Sequence, residues 1–324
     1  MKIYYDDVFL KHRPVGYHPE NPERLKIVRR ALEERGYWKN LVKPKVAEVE
    51  DLLKVHDGSY VEFVRERCEH FGYIDSDTYV CKDSWISALT AFGCAIQCVE
   101  NAVRERDLHL ALVRPPGHHA GKRGVAFNAP SLGFCLFNNV AGAIVKVREF
   151  FDKVLVIDFD VHHGNGTQEI FWGDLDVIHI DLHEHGIYPG SGALEETDGA
   201  KVNIALPHYS SDDDYIHAWN EVVDPILDEI DPKVVLVSAG FDAFSNDGLA
   251  TMELTEKFYS FAGGKLRKFS VVAVLEGGYS VGLERGLPAF VEGYVKGYEI
   301  EEVNPSSKVI EVVKKLKRIH GLPP

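Results

Sequence analysis

The run DFDVHHGNGT, residues 158–167, sets two aspartates, two histidines and two glycines directly after an apolar stretch. Four more segments pair a short apolar run with residues able to bind a metal or move protons. They are RPPGHHAG from Arg114, LHEHGIYPG from Leu182, AGFDAF from Ala239 and EGGYS from Glu276. Together the five offer His118, His119, Asp158, Asp160, His162, His163, His183, His185, Asp242 and Tyr279. A zinc-type divalent ion takes imidazole nitrogen and carboxylate oxygen, and a catalytic site keeps three protein ligands and one open position. Asp160 and His162 lie two apart on an extended stretch, so their side chains share a side. Asp242 completes an Asp/His/Asp set, His118 and His119 remain as acid/base groups, and Tyr279 is a phenol donor beside the flexible Gly277 and Gly278. A metal that polarises a carbonyl and activates water, histidines that move protons and a phenol that holds an oxyanion describe amide hydrolysis.

Such residues need a scaffold that gathers them. The apolar runs HLALV from His109, VLVID from Val154, VIHID from Val177, VNIAL from Val202, VVLVS from Val234 and VVAVL from Val271 have the short, β-branched character of strands buried on both faces. Amphipathic stretches such as Asn139 to Phe151 and Asp213 to Glu229 read as helices between them. The alternation predicts a single-domain, three-layer α/β/α fold with a mainly parallel central sheet. Ligands of such sheets bind outside the carboxyl ends of the strands, where the polar residues above fall. The first ~55 residues read as helical decoration before the sheet is under way. One domain is expected over 1–324, with a core of about residues 1–295 and a C-terminal helical extension of about 299–324. The Lys-rich helix from Ser307 in that extension reads as a solvated face.

Composition narrows the function classes. A formal charge of −14 repels a nucleic-acid backbone and draws cationic ligands, so no nucleic-acid partner is expected. No stretch has the length of a membrane span and the N-terminus lacks a signal-peptide pattern, which predicts a soluble, cytoplasmic protein with no membrane partner. Five cysteines without a CxxC pair argue against a disulfide framework and against a cysteine-rich zinc site. Cys94 and Cys98 read as core residues.

The ordered motifs RPPGHHAG, DFDVHHGNGTQ, SAGFDA and LEGGY resemble the histone deacetylase family, within the wider arginase/deacetylase fold that includes acetylpolyamine amidohydrolases. HPENPERL (His18 to Leu25), KVHDGSYV (Lys54 to Val61) and LGFCLFNN (Leu132 to Asn139) are similar to it as well, so the likeness spans roughly residues 1 to 295. The resemblance implies that Asp160, His162 and Asp242 bind one Zn2+ ion. It implies His119 as general base and then acid, with His118 as an electrostatic and orienting partner. Asp158 would hydrogen-bond His118, and Asn165 would stand behind His119, as in the class II pattern, where a carboxylate in that place would make His119 more basic. Tyr279 would hold the oxyanion. Gly133, Phe134 and Tyr188 would line an acyl-lysine tunnel, with Asp77 at its rim and Leu249 at the gatekeeper position. A structural K+ ion near Asp158 and the backbone of His162 is a further implication, and His163 would pack beneath the site.

Any one buried Asp/His pair also fits a structural ion pair, and Tyr279 alone fits a half-buried aromatic. Five strand ends together do not. His183 and His185 would suit a second metal, but DVHHG replaces the aspartate-rich motif that a two-metal site wants. His12, His70 and His208 read as surface or packing residues. The expected substrate is an acetyl-lysine protein or peptide. An acetylated polyamine or another small cationic metabolite is the alternative, and a catalytically silent acyl-binding protein is a third reading, which would be expected to have lost a ligand, a tandem histidine or the tyrosine, whereas all are present. A polyamine enzyme wants a carboxylate at the gatekeeper position, where this chain has Leu249. The oligomeric state is not legible.

Overall fold

The computed structural model describes residues 1–299 and 302–323. Eight strands form the central sheet: β1 (Lys2–Tyr4), β2 (Leu41–Val42), β3 (Leu108–Ala111), β4 (Val154–Asp158), β5 (Val177–Glu184), β6 (Lys201–Leu206), β7 (Val234–Ala239) and β8 (Ser270–Leu275). Every residue of β3 to β8 is buried, which is why these segments read as unbroken apolar runs rather than alternating ones. Across the sheet the order is β6-β5-β4-β7-β8-β3-β1-β2, and each neighbouring pair is parallel. From β4 the chain steps outward to β5 and β6 and then returns to the other side of β4 as β7. That reversal opens a crevice between the carboxyl ends of β4 and β7.

Helices surround the sheet in a three-layer α/β/α arrangement. Ser84–Ala102 packs on Asn139–Val147, where a Cβ on Gly142 would fall 2.6 Å from the Phe92 ring. Glu256–Leu266 packs on Leu287–Lys296. The stretch expected as one helix from Asp213 to Glu229 is two, Asp212–Ala218 and Asp224–Ile230, joined by a π-helical turn at Trp219–Val223. Ser307–His320 forms the expected C-terminal helix; it buries Val309, Val313 and Leu316 and packs on β6. Residues 300, 301 and 324 of the expected extension lie outside the described residues. Among the described residues no helix is long and apolar enough to cross a membrane.

The N-terminus departs from expectation. Rather than preceding the sheet, it supplies β1, which lies between β2 and β3 with Ile3 opposite Leu110. KIY is too short to show a strand period, and its place depends on pairing with a strand about a hundred residues away. VIHID also runs further than expected, to Glu184, so His183 lies inside β5 rather than on the rim.

A buried charge cluster ties the N-terminal segment to this frame. The Glu20 carboxylate is fully buried and accepts hydrogen bonds from Arg114, from Arg24 Nη1 at 3.1 Å and from the Tyr79 hydroxyl at 2.8 Å. His12 stacks on Tyr79 with its Nε2 3.5 Å from Glu20, which makes it a packing residue. Burial opposes ionisation of Glu20, but the Arg114 guanidinium outweighs it and holds the carboxyl well below its ordinary range. Because the folded-state pKa is depressed, the stabilisation is present above the unfolded carboxylate pKa and is lost as pH falls towards the folded one. Replacing Glu20 by Ala strands two buried guanidinium groups and should cost about 3–5 kcal/mol of stability in urea unfolding at neutral pH. A loss under about 1 kcal/mol would show that the cluster does not hold the segment in place.

Candidate active site

The polar residues of the sequence motifs converge where β4 and β7 meet. Asp160 and His162 follow β4, and Asp242 follows β7 from the adjacent strand. One ligand atom of each lies within 4.8 Å of the others. His162 Nδ1 is 3.1 Å from Asp160 Oδ1 and 3.2 Å from Asp242 Oδ2. Asp242 Oδ1 accepts from Val161 N, while the buried Oδ2 has no hydrogen bond of good geometry among the described residues. A buried carboxylate oxygen left this way is costly, and a cation between the three side chains would satisfy it. Burial disfavours charge on His162, but its bond to Asp160 and the nearby Asp242 carboxylate raise its pKa to about 10. Burial and the Asp160 charge raise Asp242 to about 6. Two carboxylates around one imidazole, in a largely buried crevice that draws positive charge, could hold a metal ion.

The paired histidines lie beside this group, their ring centroids 4.0 Å apart. His118 Nδ1 is 3.0 Å from Asp158 Oδ2 and its Nε2 is 3.8 Å from Asp160 Oδ1. His119 Nδ1 is 2.7 Å from Asn165 Oδ1, and Asn165 Nδ2 donates to Ala126 O. The amide therefore presents its oxygen, His119 carries its proton on Nδ1, and Nε2 is left as an acceptor. Their charges diverge. Burial opposes the charged form of both, yet Asp158 and Asp160 raise His118 well above the ordinary value, while His118 and His162 push His119 further down.

Glycines shape the site by close approach. A Cβ on Gly277 would sit 2.2 Å from Asp242 Oδ2 and 2.5 Å from Asp160 Oδ2, and one on Gly166 would sit 2.5 Å from the His119 backbone. Gly277 is thus a contact point rather than the hinge expected for it, and Gly164 and Gly166 likewise let neighbours close in. Gly278, by contrast, does need left-handed backbone, at φ +107°.

Tyr279 follows these glycines with its ring edge-on to Phe134, centroids 6.0 Å apart, and with the Arg24 guanidinium 5.0 Å from its centroid. Burial and the Asp242 charge raise its pKa well above the ordinary phenol value, so the hydroxyl keeps its proton. Tyr188 packs edge-on to His119 at 4.9 Å. Gly133, at φ +54°, sits where a Cβ would meet both His119 and Tyr188. Asp77 is half-buried and accepts from the Ser131 and Thr78 hydroxyls, and Ser131 O accepts from the Tyr188 hydroxyl, so Asp77 is tied to the same wall. Burial raises the Asp77 pKa despite those bonds. Leu249 stays 42% exposed on the loop after β7.

Other residues are not brought together as the motifs suggested. His183 Nδ1 bonds Asp181 inside β5 and His185 is exposed, so neither joins the Asp160 group. His163 is buried and bonded to Ser191 and Gln168. A second group that could hold an ion, Asp158, His179 and Asp181, lies fully buried beside the first. Sequence reading also missed Glu276, whose Oε2 accepts from Gly117 N at 2.7 Å and His118 N at 3.2 Å and so fixes the histidine pair. The charged letter in LEGGY, at the end of an apolar strand, was the available signal.

A parallel sheet bearing an Asp/His/Asp group, paired histidines and a half-buried tyrosine at its switch point defines a hydrolase of the deacetylase type. The chain belongs to the histone deacetylase family: the histone deacetylase domain model matches residues 18–294. It is 49% identical to an uncharacterized protein of Methanocaldococcus jannaschii, over 99% of this chain and 96% of that protein. It is 35% identical to a probable deacetylase of Archaeoglobus fulgidus, over 88% of this chain and 82% of the relative. Histone deacetylase 15 of Arabidopsis thaliana is 37% identical over 82% of this chain and 50% of its own length. The crystal structure of the HDA15 HD domain superposes with a TM-score of 0.89 at 32% identity, covering 99% of this chain and 96% of that one.

The electrostatics can be tested on the imidazoles. In an NMR titration His119 should titrate below the ordinary histidine value of about 6.5. Asn165→Asp, which places a carboxylate against Nδ1, should move it upward. A wild-type His119 titrating above that value, or no movement in the variant, would contradict this arrangement.

Proposed function

We propose that this chain, as one catalytic domain over 1–324, is a zinc-dependent deacetylase that removes acetyl groups from lysine side chains of proteins or peptides. The observation that carries the reading is the Asp160/His162/Asp242 group set beside two histidines, His118 held against Asp158 and His119 against Asn165. Asp160, His162 and Asp242 would hold the divalent cation, which when bound would supply Lewis acidity to the amide carbonyl and to the attacking water. His119, neutral and steadied by Asn165, takes the water proton at Nε2 and then passes it to the leaving amine. His118, cationic and held by Asp158, stabilises negative charge developing beside it. The Tyr279 hydroxyl donates to the carbonyl oxygen as that oxygen gains charge.

Gly133, Phe134 and Tyr188 form the walls along which the acyl-lysine chain lies, and Asp77 receives polar substrate groups at the rim. Asp158 and the backbone of His162 would hold a K+ ion, which would steady the floor of the site. The lysine reading is preferred to an acetylated polyamine because the exposed gatekeeper position is Leu249, with no carboxylate to pair with a free amine. The formal charge of −14 suits either kind of cationic substrate.

Purified protein assayed side by side should show a higher kcat/KM on an acetyl-lysine peptide than on an acetylated polyamine. The reverse ranking would transfer the reading to the polyamine class, and hydrolysis of neither would overturn it.

A further inference from the structure

We propose that Asp247 is a positioning residue that aims Tyr279 at the reacting carbonyl. The proposal rests on the oxyanion role read for Tyr279. Asp247 is 5% exposed on the loop that follows β7, five residues beyond Asp242. Asn246 at φ +66° and Gly248 at φ +112° bend the chain on either side of it, and Asp247 N donates to Phe244 O at 3.0 Å. Its carboxylate turns towards another strand end. Oδ2 accepts from Tyr279 N at 2.7 Å, and Oδ1 accepts from Ser280 N at 2.9 Å, Gly282 N at 2.8 Å and the Ser280 hydroxyl at 3.1 Å.

A carboxylate bonded to amides at a helical start is ordinary capping, but the peptide group before Tyr279 is held from both ends. Its carbonyl, Gly278 O, accepts from Arg24 Nε at 2.6 Å, and its N–H donates to Asp247. A cation at the oxygen and an anion at the nitrogen fix the rotation of that peptide plane through charge-assisted bonds. The plane sets the direction in which the Tyr279 side chain leaves the backbone. Glycine at 278 leaves the segment otherwise free to rotate. Packing brings the loops close as well, since a Cβ on Gly282 would sit 1.8 Å from Phe241 O. The loop that carries Asp242 therefore also registers the tyrosine against it.

Asp247→Asn turns one acceptor into a donor facing amide N–H groups. It should lower kcat ~10- to 100-fold through misplacement of the phenol, with KM and bound divalent metal unchanged. Tyr279→Phe should lower kcat ~10²- to 10³-fold. In the Tyr279→Phe background Asp247→Asn should cost nothing further, because the group it positions is already gone. Thermal melts identify a variant that does not fold; Asp247→Glu, which keeps the acceptor oxygens, then takes its place in the same cycle. Additive losses in the double variant would overturn the positioning role while leaving the oxyanion reading intact. Wild-type turnover in Tyr279→Phe would overturn both.

Discussion

The site depends on one constraint: Asp160 and Asp242 are buried side by side at the junction of β4 and β7, where two negative charges cannot persist without a cation. His162 stands between them, with Nδ1 3.1 Å from Asp160 Oδ1 and 3.2 Å from Asp242 Oδ2. The same charges reach outward. Asp160 helps to keep His118 protonated, and that charge in turn depresses His119. One electrostatic demand thus divides two adjacent histidines into a cation and a neutral acceptor, a division of labour suited to moving a proton at neutral pH.

Charge alone does not give geometry, and the chain supplies that through buried hydrogen bonds that span great sequence distance. Arg24 reaches from the first helix to Glu276 O and Gly278 O, while Glu20 joins it to Arg114, four residues before the histidine pair. Glu276 returns the contact by accepting from Gly117 and His118. Glycines at 133, 166 and 277 complete the fit, since any side chain there would fall on a functional group. Such a site is held rigidly before substrate arrives, so little reorganisation remains for the reaction itself.

Much of this was legible in the sequence because its signals are local. Asp160 and His162 share a side at a spacing of two, and the apolar runs mark β3 to β8. The parallel sheet then follows, and with it the rim on which Asp242, His118, His119 and Tyr279 meet. What stayed hidden was long-range or too short to show a period. β1 has three residues and exists through pairing with β2 and β3. Glu20, Arg24 and Asp247 look like surface charges until their partners, remote in the chain, are brought to them. His179 and Asp181 sit inside a buried strand, where only the fold reveals that they face Asp158. Gly277 read as a hinge because sequence shows a glycine's freedom and not the carboxylates that crowd it.

The claim that Asp160, His162 and Asp242 together demand a cation is tested most directly by metal content. Elemental analysis of the purified wild-type protein and of Asp242→Asn, after equilibration with zinc and removal of free ion, reads it without reference to turnover. The account predicts about one tightly held divalent ion per chain in the wild type and its loss in the variant. A folded wild-type protein that retains no divalent ion, or a variant that retains it undiminished, would contradict it.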